Sequence, residues 1–453
     1  GTTLTIKCKV YLSYSHKISV EPGGKLIVDG GKISSHCEHW QGIELQGNPN
    51  APQTAANHGT VELKNGAMIE YARFGINTIA LDQNGHMDWN NRGGRIITNA
   101  NTPNNCTFKD CRRAIQFMEY KNTNLQGIEI SNVSRIHNCE FITTNDFTTA
   151  FPNEYPTSFI SLYKVKGVTI TGCKFENQRS DLNTLDINKR GNGIYSMDAS
   201  YNVTARYNLI NGNLIAGTGN TFNNLFYATG IAGATGPSNC NVKDNVFNNN
   251  YAGVLLAASN YGLIANNTFN IPRGDGNGFF DYDGTPKTFD NAYGIYSDGA
   301  YGFNAEANTF NDLSASGTEL NHATNINNSS YVTGGKFYRN TLNGLNKGVQ
   351  AGGYNGLLKI DCNTFTKNPS YTDIDVHVVK ALDPNSNFTG VLSDQGSCLT
   401  PTIPPANNTF IGACNSGTLA KLFANPGAVN PTNQTIKYNY QFGTLNPPSC
   451  VNN

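Results

Sequence analysis

Charge is scarce in this chain. Acidic and basic residues make up 14% of the 453 positions, 32 of each sign, and the formal net charge is zero. Soluble domains usually carry about a quarter charged residues. A neutral chain with pI near 7.2 has neither the basic stripe that nucleic acid needs nor the polybasic face that an anionic membrane attracts. No run of 18 apolar residues occurs, so the sequence encodes no transmembrane helix. Helix-period stretches are nearly absent, and only Leu419 to Phe423 has the pattern for a helical turn or two. There is no nucleotide-binding glycine loop, no adjacent Asp-Asp pair and no Lys/Arg cluster suited to a lyase base. Trp40 and Trp89 are the two tryptophans, so a stacking platform for sugars would draw on the 22 tyrosines. The start, Gly1-Thr2-Thr3, reads as processed or trimmed and carries no signal peptide.

Asn, Gly, Ser and Thr fill the polar positions instead, and they recur in a beat. A small polar or thiol residue stands two positions before Phe or Leu at least ten times, most often as Asn-Thr-Phe. The copies end at Phe108, Phe141, Phe175, Phe222, Phe247, Phe269, Phe310, Leu342, Phe365 and Phe410. Gaps of 22 to 25 residues suit one turn of a β-solenoid, and the longer ones suit a turn with an insertion, or two turns. Residues two apart in a strand share a face. An inward Phe therefore brings inward the residue two before it, which is Cys106, Cys139 and Cys173 in the first three copies. It is Asn in the next seven: Asn220, Asn245, Asn267, Asn308, Asn340, Asn363 and Asn408. Stacked coils about 4.8 Å apart turn these positions into a Phe column beside a Cys-then-Asn ladder. An inward amide there bonds its own coil's backbone and the next Asn, because burying it unpaired costs roughly 1 to 3 kcal/mol.

A second beat, Gly followed by Ile or Val, opens short apolar strands at Gly42, Gly75, Gly193, Gly230, Gly253, Gly294 and Gly348. The two beats together predict an all-β, right-handed parallel β-helix of about 12 to 16 coils, with loop insertions at Asn145 to Thr157 and Pro272 to Asn291. Residues 1–396 are expected to form the helix, and residues 397–453 a Pro/Asn-rich C-terminal coil and cap or linker, with a terminal strand or cap at Asn433 to Phe442. Among the eleven cysteines, the first three ladder positions are expected to stack as buried thiols in place of Asn, although one disulfide among them would also fit. A disulfide is expected among Cys398, Cys414 and Cys450, which suits an oxidising, extracellular setting.

Several stretches resemble secreted right-handed parallel β-helix proteins of the Bacteroidota. They are Val20-Glu21-Pro22-Gly23-Gly24-Lys25-Leu26-Ile27-Val28-Asp29-Gly30-Gly31, Trp40-Gln41-Gly42-Ile43-Glu44, Gly93-Gly94-Arg95-Ile96-Ile97, Arg112-Arg113-Ala114-Ile115, Asn138-Cys139-Glu140-Phe141 and Arg190-Gly191-Asn192-Gly193-Ile194-Tyr195. The resemblance implies export through the type IX secretion system and a place outside the cell or on its surface. Such proteins typically end in a separate sorting domain, which is not evident here. The resemblance brings no catalytic residues with it.

β-Helices also host glycosidases and polysaccharide lyases, and a glycosidase needs two carboxylates about 5 to 9.5 Å apart. The pairs that qualify by alternation are Asp281 with Asp283 and Asp373 with Asp375. Asp281 and Asp283 share a glycine-rich insertion with Asp275 and Asn277, oxygen ligands suited to calcium or a sugar. The spacing is not that of a calcium loop, and Gly-Asp-Gly is common in plain turns. Asp373, Asp375 and His377 alternate with Tyr371 on one strand and would form a saccharide wall or an acid–base pair. His36, Cys37 and His39 lack a fourth zinc ligand, and Arg273-Gly274-Asp275 is a tripeptide that recurs by chance. The reading that results is a non-enzymatic adhesin or structural module of a cell-surface appendage, needing no cofactor, with a carbohydrate-active β-helix as its alternative. Expected partners are a surface polysaccharide or another cell-surface protein, identical copies, or further domains of a larger protein. Nucleic acid and membrane insertion are not expected.

Overall fold

The computed structural model describes residues 1–366 except 37, 83, 99–104, 211–212, 234–239, 273–277, 281–285, 289–290, 314–319, 328, 330–332, 353–354 and 356; beyond these it describes 372–377, 408–411 and 422–425. The chain divides into two compact units, Gly1–Ala234 and Thr235–Asn453. In each, successive short strands fall in turn into three parallel sheets. The first unit has seven coils, and the second has six, the last described in the second and third sheets alone. Parallel crossovers wind right-handed, and the chain is a right-handed parallel β-helix. Each gap of the Phe beat that lies within one unit is a single coil. Phe175 pairs directly with Phe222 and Phe365 with Phe410, so the long gaps are insertions.

The Phe column forms because the beat sits in register in the second sheet. Rings stack at 5.1 Å for Phe108–Phe141 and 4.6 Å for Phe141–Phe175 and Phe175–Phe222. In the second unit, Phe247–Phe269 and Phe269–Phe310 stack at 4.7 Å. These spacings are those of the strands themselves, about 4.8 Å. Three further positions continue the column without aromatic rings: Val10 pairs with Ile33, Ile33 with Ile69, and Ile69 with Phe108.

Beside the rings runs the expected ladder, at a corner that one residue turns. Asn138, Gly172, Asp244, Asn266, Ala307, Arg339 and Cys362 each precede a ladder residue, and each has φ between 50° and 63°. Past that corner, the Oδ1 of Asn308 accepts from both the backbone N–H and Nδ2 of Asn267, each at 3.0 Å. Its own Nδ2 donates to Asn340 Oδ1 at 3.0 Å and to the Ile264 carbonyl at 2.9 Å. Asn340 repeats this with Asn363 and Ala305, and Asn363 with Asn408 and Phe337. In the first unit Cys106 pairs with Cys139, whose thiol touches those of Cys106 and Cys173, and all three are buried and free. Cys173 Sγ reaches the Ile136 carbonyl at 3.6 Å, the same first-sheet acceptor that a ladder amide uses. The thiol is a weaker donor standing in for the amide. Burial pushes the Cys139 thiol well above its ordinary range.

The Gly beat has a steric cause. A Cβ on Gly193, Gly253 or Gly294 would lie 2.9, 2.6 or 2.6 Å from the ring of Phe222, Phe269 or Phe310. Gly230-Ile231 is out of phase with the others, because Ile194 pairs with Thr229 and Tyr195 with Gly230. Of the stretch Leu419 to Phe423, expected as a helical turn, residues 419–421 lie outside the described residues and the described part is strand: Leu422–Asn425 pairs with Thr372–His377. It and Thr409–Ile411 place a coil within residues 397–453. The strand or cap expected at Asn433 to Phe442 and the disulfide expected among Cys398, Cys414 and Cys450 lie outside the described residues. The described helices are Phe147–Ala150 and Ile187–Arg190, both within insertions of the first unit.

Burial makes the fold acid-sensitive through histidine. His137 is pushed down to about 4 by desolvation, aided by the positive charges of Arg206 and Arg135. Burial also lowers His58 and His39. The unfolded chain takes up these protons near pH 6.5, the folded chain only at lower pH, so this contribution to stability is complete above 6.5 and lost as pH falls toward 4. Thermal unfolding midpoints are expected to fall across that window, with a shallower slope in His137→Gln. A flat profile from pH 7 to 4 would contradict the assignment.

Candidate functional site

The third sheet of the first unit consists of Lys17–Val20, Trp40–Leu45, Ala72–Asn77, Arg113–Phe117, Ser158–Tyr163, Asn192–Met197 and Tyr227–Ala232. Ile43, Ile76, Ile115, Ile160 and Ile194 point into the core and are fully buried. The residue after each therefore faces outward. In register, these residues form one row across the coils: Ser19, Glu44, Asn77, Gln116, Ser161, Tyr195 and Gly230. A neighbouring row holds Phe74, Arg113, Ser158 and Asn192. Hydroxyls, amides, aromatic rings and one guanidinium thus repeat at the coil spacing of about 4.8 Å.

The rows are tightly ordered. Glu44, Asn77 and Gln116 are only 5%, 1% and 2% exposed although they lie on the outer face. Lys17 Nζ holds Glu44 Oε1 at 2.9 Å and the Leu81 carbonyl at 3.2 Å. It thereby ties the hairpin of Ile79–Leu81 and Met87–Arg92 to this face. Gln116 Nε2 donates to Asn77 Oδ1 at 3.3 Å, and Arg113 Nη1 donates to Gln116 Oε1. Arg113 lies 5.8 Å from the Phe74 ring centre, and its Nε donates to Thr157 Oγ1 at 3.4 Å. Burial, with Arg112 adding repulsion, lowers the Arg113 guanidinium to about 10. At the end of the row a Cβ on Gly230 would lie 2.7 Å from Tyr195 Cδ2, so the glycine leaves room for that ring.

The outer face of the third sheet in the second unit has the same construction. One row reads Leu255, Tyr296, Asn325, Gln350 and Asp375. Another reads Tyr293, His322, Lys347 and Thr372. Tyr293 packs against Tyr251, Tyr296 and His322 at 5.6, 5.1 and 5.1 Å between ring centres. His322 Nε2 and Asn291 Oδ1 are 3.2 Å apart.

The residues singled out from the sequence divide among these rows. Asp375 continues the row of Gln350, and His377 lies in register with Gly352, Asn327 and Asp298. Asp373 falls between the pairs Lys347–Thr372 and Val349–Ile374, opposite Gly348, so it occupies the position of the Gly beat and not an outer row. Asp275, Asn277, Asp281 and Asp283, with the Arg273-Gly274-Asp275 tripeptide, lie outside the described residues. Their insertion does contain an antiparallel pair, Gly278–Phe280 with Pro286–Thr288. The two histidines beside Cys37 go separate ways. His36 stacks on Tyr11 at 3.8 Å, while His39 stacks on Phe151 at 4.5 Å and has Nδ1 3.2 Å from the Ala150 carbonyl. Among the described residues, no group of three or more His, Cys, Asp or Glu is placed to hold a metal ion, and no helix is long and apolar enough to cross a membrane.

The first unit's rows were not anticipated, yet they carried a signal. The residue after each in-phase Gly-Ile or Gly-Val pair is the outward one: Glu44, Asn77, Tyr195, Leu255, Tyr296 and Gln350.

No protein-family model and no curated protein sequence matches this chain. Among solved structures, it is similar to a family 28 exopolygalacturonase of Yersinia enterocolitica, at 10% identity over 87% of this chain and 73% of that one, with a TM-score of 0.39. It is also similar to the tailspike protein of an E. coli bacteriophage in complex with a pentasaccharide, at 12% identity, 83% and 72% coverage and a TM-score of 0.36. The surface protein and adhesin PfbA of Streptococcus pneumoniae matches at 13% identity, 80% and 91% coverage and a TM-score of 0.34. Likeness this distant leaves ligand and activity to be read from the chain's own side chains.

Proposed function

We propose that this chain is a non-enzymatic, extracellular β-helix, an adhesin or a module of a cell-surface appendage, that holds polysaccharide on the outer face of its third sheet. The observation carrying this reading is the repetition, once per coil, of amide, hydroxyl and aromatic side chains in two outer rows. A polymer of repeated units meets such a surface at several equivalent points, each weak alone. Amides and hydroxyls bond sugar hydroxyls, while Phe74 and Tyr195 provide apolar faces for sugar rings. Export by the type IX route and a cell-surface location belong to the same reading, as the resemblance to secreted β-helices suggests. Enzymatic cleavage fits this face less well. In the first unit's two rows the carboxylate is Glu44, and Lys17 holds it in an ion pair at 2.9 Å.

A panel of polysaccharides tested for both retention and breakdown decides between binding and catalysis. Retention without new reducing or unsaturated ends is expected. Tyr195→Ala combined with Gln116→Ala should weaken it by roughly tenfold or more, about 1.4 kcal/mol. Turnover that disappears in Asp281→Asn/Asp283→Asn or in Asp375→Asn would establish the carbohydrate-active alternative instead.

A further inference from the structure

We propose that Arg113 is a carboxylate-binding position, and that the polysaccharide held on the first unit's third sheet is an acidic one built from uronic-acid units. This inference rests on the saccharide-binding reading above and adds the class of sugar. Two other arginines of the first unit have acidic partners: Arg112 pairs with Glu154 at 2.5 Å, and Arg179 grips Asp181 with two bonds at 2.9 and 2.5 Å. Arg113 differs. Among the described residues its bonds go to the neutral side chains of Thr157 and Gln116, and the charge acting on it is the like charge of Arg112. A guanidinium withdrawn from water without a counter-ion is costly. Its planar fork matches a carboxylate two bonds at a time.

Two further atoms on the same face lack partners among the described residues: Asn77 Nδ2 and Ser161 Oγ, both buried. They occupy the coils before and after Gln116 in the first row, on the order of 10 Å apart, two coil spacings. Gln116 links Arg113 to Asn77. A guanidinium for the carboxylate, a free amide N–H and a hydroxyl for ring hydroxyls, and the Phe74 ring for a sugar face together make a set complementary to a uronate. A neutral sugar would leave the guanidinium unpaired.

The test uses the whole chain and three soluble probes in titration calorimetry: oligogalacturonate, the same oligomers fully methyl-esterified, and sulfated dextran. The expected result is binding of oligogalacturonate that weakens with added salt, with the ester about thirtyfold weaker. Arg113→Gln should erase the difference between acid and ester, and Arg113→Lys should restore only part of it, because the charge returns without the fork. Equal binding of acid and ester by the wild type would overturn the acidic assignment while leaving the saccharide reading intact. Preference for sulfated dextran over oligogalacturonate would assign the site to sulfate esters and also overturn it. Binding of none of the three, with neutral polysaccharides retained, would remove the uronate; with no polysaccharide retained, both readings fall. The acid-to-ester comparison on the wild-type chain needs no variant, so a folding failure of Arg113→Gln does not rescue the proposal.

Discussion

Asn308→Leu is expected to destabilise the second unit by about 3 to 5 kcal/mol, read as a fall in the urea midpoint of unfolding. Asn308 Oδ1 receives both donors of Asn267, and Asn308 Nδ2 serves Asn340 Oδ1 and the Ile264 carbonyl. Leucine has similar bulk but no polar atom. It would strand the Asn267 backbone N–H and remove a partner from three other groups, at roughly 1 to 3 kcal/mol for each buried group left unsatisfied. The corner compounds the loss, because Ala307 sits at φ 53° immediately before the ladder residue. Residues other than glycine adopt that conformation readily only when neighbouring bonds hold it. Asn308→Cys should cost clearly less than leucine. In the first unit a thiol already fills this position, reaching the equivalent first-sheet carbonyl from Cys173 at 3.6 Å. If leucine proves as well tolerated as cysteine, the ladder is not what holds the corners.

That contrast shows how much of the architecture a three-residue beat carries. At the ten in-phase copies of Asn-x-Phe/Leu or Cys-x-Phe, alternation alone predicts both residues inside. Asn145-Asp146-Phe147, which runs into a helix with Asn145 exposed, shows that the triplet also arises out of phase. The ladder, the Phe column and the run of three thiols follow from the in-phase copies. The same column extends to Val10, Ile33 and Ile69, where β-branched side chains replace the ring, and Gly31 and Ala67 stand where the polar partner of Ile33 and Ile69 would be. A pattern defined by Phe has no purchase there. Gly230 misled for a different reason: in its coil the in-phase position is Ala228-Thr229, and Gly230 sits under the Tyr195 ring. Identical dipeptides thus served two steric needs. The hairpin at residues 79–92 and the insertions at 118–134 and 178–191 belong to single coils, so no period announces them.

The candidate face was legible in part. Carboxylates drew notice to Asp375 and His377, which the pairing sets in register with Gln350 and Gly352. Asp373 was grouped with them by simple alternation. The register instead sets it opposite Gly348, because the strand entry at each Gly-Ile or Gly-Val pair breaks the two-residue period. Arg113 and Gln116 could not be paired from sequence with Asn77, 36 and 39 positions away. Only the coil register brings them together.

Phe175→Ala is the second substitution expected to have a large effect, a loss of about 3 to 5 kcal/mol, the usual range for truncating a buried aromatic ring. Phe175 is fully buried, with the rings of Phe141 and Phe222 each 4.6 Å away and nearly parallel. Phe159 lies 6.2 Å away on the third sheet and completes its surroundings. The strands bearing these rings are hydrogen-bonded at the parallel spacing, so the coils cannot close up to fill the space that alanine leaves. A cavity therefore persists and its cost is added to the lost transfer energy. Phe175→Leu is the informative companion. Leu342 occupies the same column between Phe310 and Phe365, paired in register with both. A branched aliphatic side chain is thus compatible with coil spacing, and its cost should stay below about 1.5 kcal/mol. Chemical denaturation of both variants separates the two contributions. A large alanine effect with a small leucine effect means that the column stabilises through filled volume. Equal and large effects would mean that ring-on-ring contact is itself required, and Leu342 would then mark the weakest point of the second unit's column.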